Sequence, residues 1–475
     1  MTSGSDELAK SVDESLRRMV RGKRVLCLVD GEHYPPVTRW TVEELGVEGA
    51  EIVGLAFIGG TEKVENAVEQ LGEAASGREV YVGESEEEAL QTVARAVDDS
   101  RPEVVLDLSD EPVVDYRKRF RLCSVILARG AAYVGADFAF RPPRLHSILD
   151  KPSLGIIGTG KRVGKTAVGV TVSRLLKREG FGPVVVCMGR GGPPEPEFVD
   201  TRRISLTPET LLEVAEGGGH AASDYWEDAL LGQVPTVGCR RCGGGMGGNP
   251  FASNVLEGAE IADGSDGDFV VMEGSGATFA PVTTDRRMVI VGAGQPIENV
   301  LGFLGEYRLL ISDLALVTMC EPPVSTEQKV NEIEQGIARI NPECEIALTV
   351  FRPEPLGDVE GKKVFVATTA QGQVAESIGR FLRADWDCEV IDVSTNLSNR
   401  PALRADLKEG LGKADVLLTE IKAASIDVAA RAARDMGVEI VFLHNRPKLV
   451  GGTVENLEEA ILDLCTEARQ LRGGG

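Results

Sequence analysis

The chain has 475 residues and a formal charge of −23, from 51 basic and 74 acidic side chains. A charge of this sign repels nucleic acid and anionic membranes, so neither is expected as a partner, and a site for an anionic substrate would need its own cluster of basic side chains. The nine scattered cysteines indicate reduced thiols rather than a disulfide framework, and no run of about 18 apolar residues predicts a membrane span, so a cytoplasmic protein is expected.

Short apolar segments alternate with helix-length amphipathic segments along nearly the whole chain. This alternation predicts an α/β protein with parallel sheets. We divide it into an N-terminal block (1–148), a central block (149–355) and a C-terminal block (356–475). Proline-rich segments at 141–143 and 352–355 are the expected linkers.

The predicted strands can be given in chain order. In the N-terminal block they are 24–29, 51–57, 79–82, 104–108 and 132–134. In the central block they are 153–158, 183–188, 268–273, 288–292 and 314–319. In the C-terminal block they are 363–368, 388–393, 416–420 and 439–444, followed by a terminal helix over 454–471.

A phosphate-binding loop follows the first strand of the central block. Gly164, Lys165 and Thr166 open a helix, so the loop N–H groups can wrap the phosphates of ATP. Lys165 would neutralise the transferred phosphoryl group, and the Thr166 hydroxyl would hold Mg²⁺. The leading glycine, Gly158, stands one residue further out than in G-x-x-x-x-G-K-T, and Thr159 takes its usual place. The predicted nucleotide contacts are Gly158, Thr159, Gly160, Lys161, Arg162, Val163, Gly164, Lys165, Thr166 and Ala167.

A carboxylate at the end of a later strand supports the phosphate loop. Glu273 ends an apolar segment and precedes a glycine turn, so it can bind Mg²⁺ directly or through water. The longer phosphate loop resembles that of dethiobiotin synthetase, whose loop reads G-T-x-x-x-V-G-K-T. That resemblance implies that Glu273 is a metal ligand, because the family has E-G-x-G here, and it favours Asp224 as a second ligand. Asp224 and Asp228 could instead decorate an exposed helix face.

Three glycine- or threonine-rich segments of the central block carry arginine. Glycine beside arginine lets backbone amides and guanidinium groups converge on one phosphate or carboxylate. In so acidic a chain this predicts a small, highly anionic substrate beside the nucleotide. Cys239 and Cys242 form a C-x-x-C pair, but no further cysteine or histidine nearby completes a zinc site. The candidate substrate-binding side chains are Arg190, Arg240, Arg241, Arg286 and Arg287.

The N-terminal block offers one further candidate. Its first strand ends in Asp30, and His33 follows in the turn. Because ligands of open α/β sheets lie beyond the carboxyl ends of the strands, this turn is a possible site and His33 a possible substrate contact. A structural role for His33 stays open.

Together the phosphate loop, the segments around Arg190 and Arg240, and the turn after Asp30 resemble the cyclic 2,3-diphosphoglycerate synthetase family over most of the chain. The resemblance implies a P-loop NTPase core of the dethiobiotin-synthetase kind, flanked by N- and C-terminal Rossmann-like α/β domains. It implies an enzyme that uses ATP and Mg²⁺ to join the two phosphates of 2,3-bisphosphoglycerate into an intramolecular phosphoanhydride. Lys161, Lys165 and Glu273 are then the expected catalytic residues, and a homodimer is expected.

Two other functions fit parts of the same pattern. One is a different ligase related to dethiobiotin synthetase that activates a carboxylate or carbamate. The other is a nucleotide-switch ATPase, which would need no small-anion site. The arginine segments argue against the ATPase.

Overall fold

A computed structural model describes residues 14–60, 62–64, 66–75, 77–83 and 86–473. The chain forms two compact units. The first contains residues 1–143 together with Ile297–Ile311, and the second contains Arg144–Pro296 together with Ser312–Gly475. The first segment of this unit ends at Pro143, in the proline-rich segment 141–143.

The first unit is built on a six-stranded sheet with the order β3-β2-β1-β4-β5-β6. All strands are parallel except β6, which pairs antiparallel with β5. The strands are β1 (Arg24–Val29), β2 (Glu51–Phe57), β3 (Glu79–Val82), β4 (Val104–Asp107), β5 (Ala132–Val134) and β6 (Ala139–Phe140). The helices are α1 (Glu14–Val20), α2 (Pro35–Val47), α3 (Ala67–Ala74), α4 (Glu86–Ser100) and α5 (Tyr116–Ala128), with the later α10 (Ile297–Leu301) and α11 (Gly305–Leu310).

The second unit is built on a 13-stranded sheet with the path β11-β10-β8-β12-β7-β13-β14-β15-β19-β18-β16-β17, and β9 pairs with β10. Its first strands are β7 (Ser153–Gly158), β8 (Pro183–Gly189), β9 (Glu197–Val199), β10 (Thr236–Cys242), β11 (Ala252–Ser253), β12 (Phe269–Glu273) and β13 (Arg286–Gly292). The others are β14 (Leu314–Thr318), β15 (Glu345–Pro355), β16 (Lys363–Ala367), β17 (Glu389–Ser394), β18 (Val416–Thr419) and β19 (Glu439–Gly452).

Helices cover this sheet, as a parallel sheet that is buried on both faces requires. They are α6 (Lys165–Arg178), α7 (Pro208–Glu216), α8 (Asp224–Gly232), α9 (Val255–Asp263), α12 (Glu327–Ile340), α13 (Gly372–Asp385), α14 (Arg400–Gly410), α15 (Arg431–Met436) and α16 (Leu457–Gly473). A 3-10 helix (Leu411–Lys413) and a π-helix (Ser425–Ala430) complete the unit. The α/β prediction is confirmed. None of the described helices is both long and apolar enough to cross a membrane.

The strands of the C-terminal block continue the central sheet. β15 pairs antiparallel with β19, and Arg352–Pro355, expected to be a linker, forms the end of β15. The core is shared as well: Phe442 and Ile461 belong to the same buried cluster as Leu154 and Ile156. Local sequence pattern does not predict this pairing, because β15 ends at Pro355 and β19 begins only at Glu439, and because prolines normally interrupt strands.

Candidate active site

The phosphate loop lies at the carboxyl end of β7, which is flanked on both sides by parallel strands, β12 and β13. Gly164, just before α6, has a φ of +90°, and Arg162 has a φ of +61°. Two residues in left-handed conformations turn the chain sharply from strand to helix. A Cβ on Gly164 would stand 2.4 Å from the Phe351 ring, so glycine is required there by packing as well as by backbone.

Hydrogen bonds from neighbouring strands hold the loop. The Thr159 N–H donates to Ile290 O at 3.1 Å, and the Thr159 hydroxyl bonds the Gln295 side chain. The Thr318 hydroxyl donates to Val163 O at 2.8 Å. Thr159, in the usual place of a glycine, therefore anchors the loop to the end of β13.

Lys165 lies inside the loop. Its Nζ donates to Gly160 O at 3.0 Å. Burial lowers the pKa of Lys165 to about 8, against the opposing influence of Glu273 and Asp224. A phosphate bound beside Lys165 would stabilise the protonated form of its ammonium group, whose charge burial disfavours. Lys161, predicted to share this role, is exposed on the outside of the loop.

Glu273 ends β12 and is buried beneath α6. Among the described residues its Oε1 has no hydrogen-bond partner, and a Cβ on Gly169 would stand 1.7 Å from that oxygen. The helix can approach the carboxylate only because residue 169 has no side chain. Burial, reinforced by Asp224, raises the pKa of Glu273 to about 8.

A second buried carboxylate faces Glu273. One ligand atom each from Asp228, Glu273 and Cys187 lies within 4.8 Å of the other two. Among the described residues neither carboxylate oxygen of Asp228 accepts a hydrogen bond of standard geometry, although the Cys187 thiol lies close enough to favour the carboxylate. Burial and the nearby Glu273 outweigh that influence and raise the Asp228 pKa. Burial also raises the pKa of the Cys187 thiol, so it stays protonated. Three unpaired carboxylate oxygens in one buried place are suited to a hard cation such as Mg²⁺.

The two other predicted metal ligands lie at the same end of the sheet. Asp224 is the first residue of α8, and its Oδ2 lies 3.7 Å from the position that a Cβ of Gly189 would take, at the end of β8. Thr166 is in the first turn of α6 and is partly buried. Asp224 influences the pKa of both Lys165 and Glu273, which places its charge near them.

Two arginines converge on the turn that follows β12. A Cβ on Gly276 would lie 3.2 Å from Arg190 Nη2 and 3.7 Å from Arg241 Nη2. Arg241 donates to Ser275 O at 2.9 Å, and its buried Nε has no partner in the part of the chain that the structure describes. No salt bridge joins Arg190 or Arg241 to a carboxylate among the described residues, and both lower the pKa of Lys165. Arg190 and Arg241 lie near Lys165 with no acidic partner of their own among the described residues, so the three cationic side chains could together bind an anion.

Arg240 is separated from this group. It is the neighbour of Arg241 in β10, so its side chain leaves the opposite face of the strand. Its Nε donates to Gly192 O at 3.2 Å, and the residue is exposed. The structure thus brings Arg190 and Arg241 to Lys165 and leaves Arg240 beside the glycine turn after β8.

Arg286 and Arg287 lie at the opposite end of the sheet, which corrects their predicted position beside the nucleotide. They open β13, and Arg286 pairs in register with Leu154 at the start of β7. Arg286 forms a salt bridge of 2.8 Å with Glu467 of α16. Segment 283–287 returns the chain to the amino end of the sheet, and the residue pattern alone did not reveal that direction.

His33 belongs to the first unit. Its Nδ1 lies 2.8 Å from Asp30 Oδ1, beyond the carboxyl end of β1. Asp30 also accepts from the N–H groups of Glu32, His33 and Asp110. The sheet order makes β1 and β4 the point where the strand order reverses, which is where such sheets bind ligands. The Asp30–His33 pair stabilises the turn, and nothing in the described residues assigns it a ligand.

Sequence reasoning missed three members of the site. The sequence pattern allows Asp228 on an exposed helix face, although its spacing of four from Asp224 puts both on one face of α8. Cys187 lies inside the predicted strand 183–188, and nothing in that pattern marks it as a site residue. Lys422 lies just after β18, and its Nζ lies 3.3 Å from Glu227 Oε2. Cys239 is buried and Cys242 is exposed, so the C-x-x-C pair does not form one ligand set.

Comparisons with known protein families cover nearly the whole chain. The model of the P-loop domain of cyclic 2,3-diphosphoglycerate synthetase matches residues 153–350. The models of the N-terminal and C-terminal domains of the same family match residues 24–141 and 355–446. The phosphate loop and Glu273 both fall within the first match.

Relatives that match over nearly the whole chain carry the name of the same family. A cyclic 2,3-diphosphoglycerate synthetase from Methanothermus fervidus is 48% identical over 94% of this chain and 97% of its own. One from Methanothermobacter thermautotrophicus is 47% identical over 94% and 96%. One from Rubrobacter xylanophilus is 48% identical over 95% and 99%.

Proposed function

This chain belongs to the cyclic 2,3-diphosphoglycerate synthetase family, and from that premise we propose that the carboxyl end of its central sheet is the active site. The protein is an ATP-dependent ligase that synthesises cyclic 2,3-diphosphoglycerate from 2,3-bisphosphoglycerate, forming an intramolecular phosphoanhydride and releasing ADP and phosphate. The convergence of Lys165, Arg190 and Arg241 is the observation that carries the proposed site.

The substrate's charge explains why such a cluster is needed. A carboxylate and two phosphates repel one another and repel a protein with a charge of −23. Arg190 and Arg241 face Gly276 with donors directed into the same space, so they could hold one substrate phosphate beside the phosphate loop. In this proposal Arg240 is an outer contact, and Arg286 and Arg287 have no part in binding.

We propose a two-step reaction. One substrate phosphate attacks the γ-phosphorus of ATP, and the bond to the ADP oxygen breaks. An oxygen of the second substrate phosphate then attacks the phosphorus of the first substrate phosphate. The group received from ATP leaves as inorganic phosphate, and the ring closes. The nucleophiles are already ionised, so no general base is required. Holding both groups in one site replaces a bimolecular encounter, an effect worth up to about 7–11 kcal/mol when the geometry is ideal.

The protein's own residues stabilise the charge. Lys165 would exchange its bond to Gly160 O for the nucleotide phosphates, and the loop N–H groups would bind the same oxygens. In this proposal Lys161, which is exposed, contacts the outer side of a bound nucleotide. Glu273 Oε1, which has no hydrogen-bond partner among the described residues, fits the binding of Mg²⁺ together with Asp224 and the Thr166 hydroxyl. When bound, Mg²⁺ would supply further neutralisation of the phosphate charges.

Phosphorus NMR of the wild-type protein with ATP, Mg²⁺ and 2,3-bisphosphoglycerate tests the function. We expect the two substrate signals to be replaced by those of a cyclic phosphoanhydride, with ADP and phosphate appearing in equal amounts. Glu273→Gln should weaken the Mg²⁺ dependence sharply in the same assay.

The controls separate the alternatives. Hydrolysis of ATP with no loss of bisphosphoglycerate would favour a nucleotide-switch ATPase. Turnover only with a carboxylate or carbamate substrate would favour a different ligase. A homodimer, a cytoplasmic location and the absence of a nucleic-acid partner remain predictions from the sequence.

A further inference from the structure

Lys422 is a cation that the C-terminal strands place beside Glu227 of α8, next to the carboxylates of the candidate active site. It comes three residues after the end of β18. The strand order β17-β16-β18-β19 reverses between β16 and β18, so the segment that follows β18 lies at a switch point of the sheet.

The backbone at this position is held from several directions. Glu420 accepts from the Thr368 hydroxyl at 2.7 Å and from the Thr369 hydroxyl at 2.8 Å, both just after β16. Ile421 is buried in the same apolar cluster as the phosphate-loop strand. The Ser425 hydroxyl accepts from Lys422 N and donates to Lys422 O, each at 2.7 Å. The start of the lysine side chain is therefore fixed by the fold.

The ammonium group reaches α8, on which two carboxylates of the site stand. Lys422 Nζ lies 3.3 Å from Glu227 Oε2, and the Glu227 side chain is only 16% exposed. Glu227 is also the main influence that raises the pKa of Lys422, with smaller contributions from Glu420 and Asp224. The lysine thus faces α8 from the C-terminal strands while Lys165 faces it from the phosphate loop.

The carboxylates around Lys422 affect how readily the site accepts an anion. Asp224, Glu227, Asp228 and Glu273 stand together where ATP phosphates are proposed to bind. An unpaired, mostly buried Glu227 would repel those phosphates across a medium of low dielectric.

We infer that Lys422 is a positioning residue that neutralises Glu227, so that the site accepts the MgATP anion. The C-terminal strands would then contribute directly to nucleotide binding. This inference rests on the proposed function only in placing ATP at the phosphate loop.

Equilibrium binding of MgATP and MgADP to the full-length protein tests it without any turnover. In Lys422→Gln we expect the Kd for MgATP to rise about tenfold, with a smaller rise for the less charged MgADP. The double variant Lys422→Gln with Glu227→Gln should return the Kd for MgATP to within about threefold of wild type, because it removes both charges. Lys413→Gln, at an exposed lysine that precedes β18 and so lies at the other end of that strand from Lys422, is the control and should bind like wild type.

Lys422→Arg should retain most of the affinity. A Lys422→Gln variant that binds MgATP like wild type but melts at a lower temperature would show that the pair is structural and would overturn the inference. The absence of rescue in the double variant would overturn it as well. If the wild-type protein itself bound no MgATP, the proposed function would fail instead.

Discussion

The two ends of the central sheet both carry arginine beside glycine or threonine, yet they use it differently. At the carboxyl end, Arg190 and Arg241 point toward Lys165 and have no acidic partner among the described residues. At the amino end, Arg286 pairs with Glu467, and Asp285 nearby pairs with Arg472. The arginines at the carboxyl end are therefore available to bind an anionic ligand. Those at the amino end form salt bridges that hold α16 against the sheet.

The difference shows that residue type and spacing predict the position of a ligand site less well than strand direction does. An arginine after a strand and an arginine before the next one look alike in the sequence, although they lie at opposite ends of a parallel sheet. Ligands bind at the carboxyl ends. Variants matched between the two ends can therefore test the comparison directly.

Lys165→Ala should have the largest effect. Turnover should fall by on the order of 100-fold to 1,000-fold, because the charge nearest the transferred phosphoryl group is lost. Arg286→Gln, at the other end, should keep turnover within about twofold. Steady-state kinetics on both variants, with circular dichroism to confirm folding, makes the measurement. Equal losses in the two variants would break the comparison.

Gly169→Ala should come next, acting through the contact between α6 and Glu273. The new methyl group would meet Glu273 Oε1 at 1.7 Å, so either the helix or the buried carboxylate must move. We expect a loss of about 1–3 kcal/mol in the free energy of unfolding, the usual cost of overpacking, together with a weaker response to Mg²⁺.

Gly379→Ala is the matched control, since Gly379 is also a buried glycine inside a helix. An added Cβ there has no neighbour closer than 3.4 Å. Alanine should then stabilise the helix by roughly 0.5–1 kcal/mol. Chemical denaturation of both variants checks the signs. If Gly169→Ala were as stable as wild type, the close approach of the helix to Glu273 would be wrong.

Local pattern predicted the strands that start or end at apolar segments, including β1, β2, β3, β5 and β7 with the bounds that the structure has. It did not predict β10, because Arg240 and Arg241 read as a polar loop, or β15, because its end contains two prolines. Both strands depend on partners distant in the chain.

The candidate site likewise contains some residues that local sequence pattern identifies and others that it does not. The phosphate loop and Glu273 could be identified because a strand, a loop and a helix start are adjacent in sequence. Asp228 and Lys422 could not, since their roles depend on which elements pack on α6 and α8. The choice of Arg241 over Arg240 depends on which face of β10 each side chain leaves, and this needs the strand itself.

Arg241→Gln and Arg240→Gln sharpen the comparison within one strand. Glutamine keeps hydrogen-bonding capacity and removes the charge, and a charge-assisted bond is worth roughly 1.5–3 kcal/mol. The kcat/KM for bisphosphoglycerate should fall at least about tenfold in Arg241→Gln and clearly less in Arg240→Gln. The Kd for ATP should change little in either. Identical kinetics in the two variants would mean that the faces of β10 do not distinguish these arginines.

The smallest expected effect is a pH dependence that only the carboxyl end should show. Burial lowers the pKa of Lys165 to about 8, so in the free protein its charge is present below that pH and is lost above it. Burial raises the pKa of Glu273 to about 8, so below that pH this carboxyl group holds a proton that a metal ion must displace. A rise in pH through 8 therefore weakens phosphate binding through Lys165 and favours metal binding through Glu273.

Between pH 7 and 8 the affinity for Mg²⁺ in the presence of ATP should rise about fivefold, and it should level off at about tenfold by pH 9, because Glu273 no longer has to lose a proton. Above pH 8, the affinity for ATP without Mg²⁺ should fall as Lys165 loses its charge. Calorimetric titrations over pH 7–9 measure both. Glu273→Gln should abolish the rise and keep the fall, whereas Arg286→Gln should keep both. A rise that persists in Glu273→Gln would assign the proton to another group, and Asp228, which faces Glu273 and whose pKa is also raised, is the residue to change next.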